Sequence, residues 1–447
     1  MTTHTNKALL LALTSAISCA VVAAGSDASR LGDSLTPLGA EMAGNADGSI
    51  PAWTGGMATD ATAADAQGNY ANPFADEQPL YTVDRSNAAD YAELLSEGHQ
   101  KLLEIFPDYT LPVYPTHRST RVPQRYYEQT RENVGTVTLT DDGYGVRNYD
   151  FAIPFPMPER AEEVMWNHLT RYRGGSIQRQ FSSAVVQEHG DYTLITHRQH
   201  VAFRENVTDL DAGENMLFYT LVQTLNPSRF AGTVTLVHDP INPTEQARSA
   251  WQFNPGQRRV RRAPTVAYDS SARFSYGALT SDSVAGFNGA LDRYNWELVG
   301  KQEMLVPYNA YALHDKSVSY EELLQQGHID QSRTRYEKHR VWVVDATLRE
   351  GERHVYAKRR FYVDEDSWQI LVSDIYDNQQ QIWRVYEAHP YQLADIELPS
   401  SGMEVTYDLY SRRYATNFMV NEDGAAVYNQ PASKADFTPN AIKRLAR

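Results

Sequence analysis

F361YVDEDSWQILVSDIYDNQQQIWR384 reads as strand, turn, strand, turn, strand. An apolar run ends at Asp364-Glu365-Asp366, and a second ends at Asp377-Asn378. Clusters of Asp and Asn between short apolar runs mark tight turns, so the three runs form an antiparallel meander. In the middle run Trp368, Ile370 and Val372 point one way and Leu371 and Ile375 the other. A sheet with one face in water would alternate apolar and polar residues more cleanly.

The same pattern extends in both directions. Within 340–349, Trp342, Val344, Ala346 and Leu348 share one face, and Val341 and Val343 the other. Stretches 177–189 and 192–204 make a hairpin across Gly190-Asp191. Strand-like runs follow at 216–225, 231–238, 251–254, 258–263 and 296–305, then at 340–349, 355–363, 368–376, 381–388, 404–410 and 414–420. No βαβ rhythm of a nucleotide-binding fold appears. The two-faced strands leave two readings open: a sheet covered by helices and an N-terminal arm, or a curved sheet whose concave face holds an apolar ligand.

Helices are expected mainly before the sheet. Residues 88–106 place Tyr91, Leu94, Leu95, Leu102 and Ile105 on one face, with Ser86 or Asn87 as the cap. Residues 158–173 carry a stripe of Val164, Met165, His168, Leu169 and Tyr172, opened by Pro158 and stopped by Gly174-Gly175. Shorter helices are expected at 320–326 and 439–446. Residues 25–86, rich in Gly, Ala, Asp, Asn and Pro, read as an irregular arm, and 87–447 as one β-rich domain.

Residues 1–24 read as a cleaved secretory signal: Lys7, an apolar run 8–23, and small residues Val22-Ala23-Ala24 before Gly25. The only cysteine is Cys19, inside that signal. A periplasmic location is expected, with lipid attachment at Cys19 as the minor alternative. A mature chain without cysteine has neither disulfides nor thiol chemistry. A formal net charge of −15 argues against nucleic-acid binding.

The sequence shows no catalytic constellation and implies no cofactor. It has no phosphate loop and no nucleophile elbow. His197 and His200 lie three apart on a strand and therefore face opposite ways, which disqualifies them as joint metal ligands. Asn45-Ala46-Asp47-Gly48 opens like a calcium loop, but Gly56 stands where the loop needs Glu. Asp364-Glu365-Asp366 is expected to be a solvated turn. Trp251, Trp296, Trp342, Trp368 and Trp383 lie in strand patterns and are expected to fill core.

One segment resists this plain reading. In W251QFNPGQRRVRRAP264, Arg258, Arg259, Arg261 and Arg262 cluster in an acidic protein. On a strand, Arg258, Val260 and Arg262 would share one face and Arg259 and Arg261 the other. If one face is covered, two arginines enter it and need a partner: a protein carboxylate or the head of an anionic ligand. Trp251 and Phe253 would set apolar surface beside them, which suits an amphiphile.

L35TPLGAEMAGNADGSIPAWTGG56, F253NPGQRRVRRAPTVAYD269 and the quoted meander resemble blocks of a Gram-negative exported family, domain-of-unknown-function family 1329. That family is grouped with outer-membrane lipoprotein carriers of the LolA/LolB type. The resemblance implies a mainly β (α+β) fold: a curved antiparallel sheet, or half-open β-barrel, with helices covering the concave face. It also implies binding of acyl chains without chemistry, and a shuttle or accessory role beside an efflux-type membrane transporter.

The expected function is therefore a non-catalytic periplasmic carrier for a hydrophobic or amphipathic, lipid-like ligand. Its expected ligand-binding residues are Trp251, Phe253, Arg258, Arg259, Arg261, Arg262, Trp342 and Trp383. Helices 88–106 and 158–173 would cover the opening. The alternative is an adaptor that docks an inner-membrane transporter or an outer-membrane protein through the arginines. An enzyme acting on glycans or lipids is the third reading.

Overall fold

A computed structural model describes residues 27–263, 268–272 and 275–445. The expected signal segment, with Cys19, lies outside the described residues.

The strands run β1 (Tyr81–Val83), β2 (Leu111–Val113), β3 (Thr138–Leu139), β4 (Val146–Arg147), β5 (Ser176–Val186), β6 (Tyr192–Phe203), β7 (Phe218–Asn226), β8 (Val234–Asp239) and β9 (Ser249–Asn254). They continue with β10 (Arg259–Arg262), β11 (Tyr294–Pro307), β12 (Tyr336–Leu348), β13 (Lys358–Asp364), β14 (Ile370–Tyr376), β15 (Ile382–Leu393), β16 (Leu398–Asp408), β17 (Arg413–Met419) and β18 (Val427–Tyr428). β3 and β4 pair only with each other; all the others share one sheet. The sheet consists of two meanders side by side. β11 to β17 form one, β5 to β10 the other, and the antiparallel pairing of β17 with β5 joins them. β2 meets β12 in parallel through Val113 and Tyr336, so the sheet is mixed rather than wholly antiparallel. Among the described residues no pairing closes β10 onto β11, and the sheet is an open half-barrel.

Among the described residues the α-helices are α1 (Glu97–Ile105), α2 (Gln124–Asn133), α3 (Ala161–Thr170), α4 (Tyr320–Leu323) and α5 (Pro439–Leu445). The expected helix over 88–106 is divided. A 3-10 segment, Ala88–Leu94, precedes α1, because Ser96 accepts a hydrogen bond from His99 N and starts a new helix. The Asp374 carboxylate fixes that start by accepting from Ser96 Oγ at 2.9 Å and Gly98 N at 3.0 Å. α3 is shorter than the 158–173 stripe, and α2 was not foreseen.

The two meanders are covered differently. On one face of β14 to β17, Leu102 and Leu103 of α1 pack with Val385, Val405 and Tyr407. On the other face Val164, Met165, Trp166 and Leu169 of α3 pack with Phe361, Tyr386 and Ala388. Residues 27–86 reach both cores: Leu38 is buried in this second one, where Trp368 Nε1 donates to Leu38 O at 2.9 Å, and Val83 is buried in the first. In the β5 to β10 meander, Ile442 of α5 and Phe437 cover one face, packing on Tyr219, Leu221 and Leu236. The other face, on the α3 side, is not filled.

The acidic turn after β13 is not solvated. Asp364, Glu365 and Asp366 are all buried. Arg118 grips Asp366 with Nε at 2.9 Å and Nη2 at 2.7 Å, and Glu365 holds Lys301 at 2.9 Å and Arg340 at 3.2 Å. Long-range cations have drawn the turn inside. Burial, with Asp366 as a like-charged neighbour, pushes the Asp364 carboxyl up.

Candidate functional site

The unfilled face encloses a cavity of about 310 Å³, at the lower end of the roughly 300–1,000 Å³ range of small-molecule sites. Strand alternation builds it. From β5 it takes Ile177, Arg179, Phe181, Ser183 and Val185; from β6, Ile195, Val201 and Phe203; from β7, Phe218, Thr220 and Val222. Each set comes from every second residue, so one register places them all on one face. β16 and β17 add Leu398 and Phe418, and β18 adds Tyr428.

The cover is a strap of turns with one short 3-10 helix, Ser281–Ser283. Ala272, Ser275, Leu279, Val284 and Ala285 lie on the cavity wall. The strap is anchored at Asp282, which is buried and holds Arg359 Nη2 at 2.6 Å and His354 Nε2 at 3.1 Å. Buried His168 of α3 donates from Nε2 to Ala285 O at 3.0 Å, while its Nδ1 accepts from Ile370 N at 3.1 Å. Burial pushes this imidazole well below its ordinary pKa, which fits a neutral ring used as a strut. The expectation that 88–106 covers the opening is corrected: α1 lies on the opposite face, because its apolar stripe meets Val385 and Val405.

The charge on the wall is unlike that of the chain. Four arginines, Arg171, Arg173, Arg179 and Arg248, face one carboxylate, Asp239. Arg248 takes that carboxylate, with Nη2 to Oδ2 at 2.8 Å. The other three form no ion pair among the described residues. Arg171 Nη1 donates to His168 O at 2.5 Å. Arg173 Nη2 donates to Leu169 O at 3.0 Å, its Nε is buried without an acceptor, and its guanidinium lies 4.4 Å over the Phe203 ring. Arg179 Nε donates to Gln199 Oε1 at 2.8 Å, and its guanidinium lies 4.3 Å over Phe418. Burial pushes Arg171 down to about 10 and Arg173 down to about 9; Arg179 shifts the same way for the same reason. All three remain charged at neutral pH. Arg359 contrasts with them: burial opposes its charge as well, yet the Asp282 carboxylate holds it above the ordinary guanidinium value.

Glu404 stands behind the strap. Its Oε2 accepts from Ala285 N at 3.0 Å, and its Oε1 is buried without a partner. Burial lifts its pKa to about 7, against the pull of that N–H and of Arg171.

None of the eight residues singled out from sequence lies on this wall. Arg258, Arg259, Arg261 and Arg262 are all exposed. The expectation that two of them enter covered space is corrected, because β10 is the outermost strand of its meander. Arg258 is not in the strand at all; it sits in the preceding turn at φ 49°. Trp251 and Phe253 pack on the α5 side with Val260. Trp342 stacks on Trp368 with ring centroids 6.2 Å apart. Trp383 stacks on Tyr410, also at 6.2 Å, and donates to Asp408 at 3.1 Å. His197 and His200 diverge as their spacing requires: His197 reaches the cavity wall, and His200 packs on Phe437 across the sheet. The arginines that reach the cavity were missed, although Ile177, Arg179, Phe181, Ser183 and Val185 already put an arginine on an otherwise apolar strand face.

These features define a class: an open β half-barrel with a lined, cationic cavity on one face. Residues 82–443 match the family described as "Protein of unknown function (DUF1329)", and the chain belongs to it. It is 47% identical over 445 residues to "Uncharacterized protein PA3922" of Pseudomonas aeruginosa, covering 99% of this chain and 97% of that one. Among solved structures it is similar to a DUF1329 family protein from Desulfovibrio piger, at 14% identity and a TM-score of 0.42, covering 60% of this chain and 92% of that one. It is also similar to a putative outer membrane lipoprotein-sorting protein domain from Vibrio parahaemolyticus, at 13% identity and a TM-score of 0.43, covering 63% and 97%.

Proposed function

We propose that this protein is a non-catalytic periplasmic carrier for a hydrophobic or amphipathic, lipid-like ligand, working beside an efflux-type transporter. The observation that carries the reading is the contrast between the two meanders. β11 to β17 are packed on both faces. β5 to β8 leave one apolar face against open space. Transferring a methylene from water to such a wall stabilises by about 0.8 kcal/mol, so an alkyl chain is held without chemistry. Burial pushes up the Asp239 carboxyl on the cavity wall, where Arg248 holds it at 2.8 Å, and also Asp364 and Glu404, which lie off the wall; the proposal gives none of the three a catalytic role. Among the described residues no helix is long and apolar enough to cross a membrane. The test is native mass spectrometry of protein taken from its own periplasm. A co-purifying amphiphile is expected; protein recovered empty and unable to take up labelled lipids would contradict the reading.

A second reading is favoured by the four exposed arginines at the β10 edge. A terminal strand offers unpaired backbone groups to another chain, and these side chains would meet an acidic partner. In this reading the protein is an adaptor for a membrane transporter.

A further inference from the structure

The unpaired arginines bear on what kind of ligand the cavity takes. A guanidinium offers five N–H donors and cannot shed its charge at neutral pH. Arg171, Arg173 and Arg179 together use few of theirs: Arg171 Nη1 meets the His168 carbonyl and, at 3.3–3.4 Å, the His168 ring nitrogens, Arg173 donates to one main-chain carbonyl, and Arg179 to one side-chain amide. Buried cations without counter-ions cost free energy, and ordinary structural arginines avoid this by pairing. This protein pairs them elsewhere. Arg118, Arg359 and Arg384 each hold a carboxylate in the core. Among the buried arginines of the described residues Arg171 is the exception, and it stands with the half-buried, unpaired Arg173 and Arg179 on the wall of one cavity.

The wall orders the charge. Arg173 lies over Phe203 and Phe218, and Arg179 over Phe181 and Phe418, so each cation is framed by rings. Beyond them the wall continues with Val201, Val222, Val237 and Leu279. The nearby carboxyls, Glu404 beside Arg171 and Arg179 and Glu205 and Asp239 beside Arg173, make no ion pair with any of the three, and burial pushes all three carboxyls up.

We infer that the cavity binds a single-tailed anionic amphiphile, with its acidic head on Arg171, Arg173 and Arg179 and its tail along the apolar strand face. The inference rests on the carrier reading and narrows it to one charge class. A carboxylate head and a phosphate monoester head share the chemistry that guanidinium forks recognise. The cavity stands at the lower end of the small-molecule range, which favours a ligand with one tail over a bulkier one with two.

The test is calorimetric titration of the purified protein with four probes that share a dodecyl tail, each below its critical micelle concentration. The probes are dodecanoate, dodecyl phosphate, dodecanol and dodecyltrimethylammonium. The anions are expected to bind at least about tenfold more tightly than the alcohol, and the cation not at all. The stronger of the two anions identifies the head. In the variant Arg173→Met/Arg179→Met the anions should lose about tenfold or more in affinity while dodecanol keeps its own. Arg179→Lys should recover part of the loss. Equal affinity for anion, alcohol and cation in the unaltered protein would overturn the inference and leave the carrier reading standing. Failure of all four probes to bind would remove the carrier reading itself. If the double variant does not fold, the head-group series on the unaltered protein decides alone.

Discussion

Arg179 and Gln199 are cross-strand partners in the β5–β6 pair, and the arginine Nε meets the amide oxygen at 2.8 Å. The buried arginines Arg118, Arg359 and Arg384 each meet a carboxylate; half-buried Arg179 meets a neutral amide on a cavity wall. The pairing holds the side chain in place without quenching its charge, which is what a receptor for an anion requires.

The first prediction follows from that difference. Replacing an unpaired, half-buried charge by an apolar residue of similar length removes part of a desolvation cost, whereas stripping a paired, fully buried one leaves a buried carboxylate alone. Arg179→Met should leave the empty protein within about 1 kcal/mol of the parent, or make it more stable. Arg359→Met should cost about 3 kcal/mol or more, because Asp282 loses its partner at 2.6 Å. Urea unfolding of both variants checks the pair.

The buried acidic turn yields the second. Arg118 joins the loop before α2 to Asp366 by two hydrogen bonds, with Glu365 3.6 Å away. Arg118→Ala should destabilise by about 3–5 kcal/mol, since it leaves two buried carboxylates short of a cation. A loss below about 1 kcal/mol would mean that the turn is hydrated after all.

Glu404 gives a pH dependence whose sign can be stated. Its folded pKa, about 7, lies above the ordinary glutamate value of 4.5. The folded state therefore binds the proton more tightly, and its stability falls as pH rises from 4.5 towards 7. Glu404→Gln should match the parent near the lower end of that window. Above the upper end it should be more stable by about 2–3 kcal/mol. Thermal melts across the window read this directly; an unchanged pH profile would show that Glu404 titrates normally.

The β10 edge supplies a prediction that separates docking from ligand binding. Arg259→Glu/Arg261→Glu changes exposed residues and should alter stability by no more than about 0.5 kcal/mol. If the edge docks an acidic partner, pull-down of that partner from periplasmic extract should be lost while amphiphile affinity is kept.

Much of the sheet was legible because its strands are short, apolar and separated by Gly, Asp and Asn turns. The hairpin across Gly190-Asp191 and the meander from Phe361 to Arg384 appear where the alternation places them. α2 was not legible: in Q124RYYEQTREN133 only Tyr126, Thr130 and Asn133 are buried, so its apolar stripe is almost absent. The acidic turn was misjudged because its partners, Arg118 and Lys301, are remote in sequence. The arginine strand was given an inner face because alternation tells which residues share a side, not whether a strand stands at the edge of its sheet. The cavity arginines could have been flagged by the same alternation, since Arg179 lies between Ile177 and Phe181 on one face.

The central claim is that the β5–β8 face is a binding site and not a packing defect. Val222, midway along β7 on the cavity wall, is the position to fill. The decisive measurement is stoichiometric binding of a fluorescent single-tailed fatty acid to the parent protein and to Val222→Trp. One bound molecule per parent chain is expected, with an affinity at least about tenfold weaker in the variant and a melting temperature no lower. Equal binding by the two proteins would place the ligand elsewhere and contradict the account.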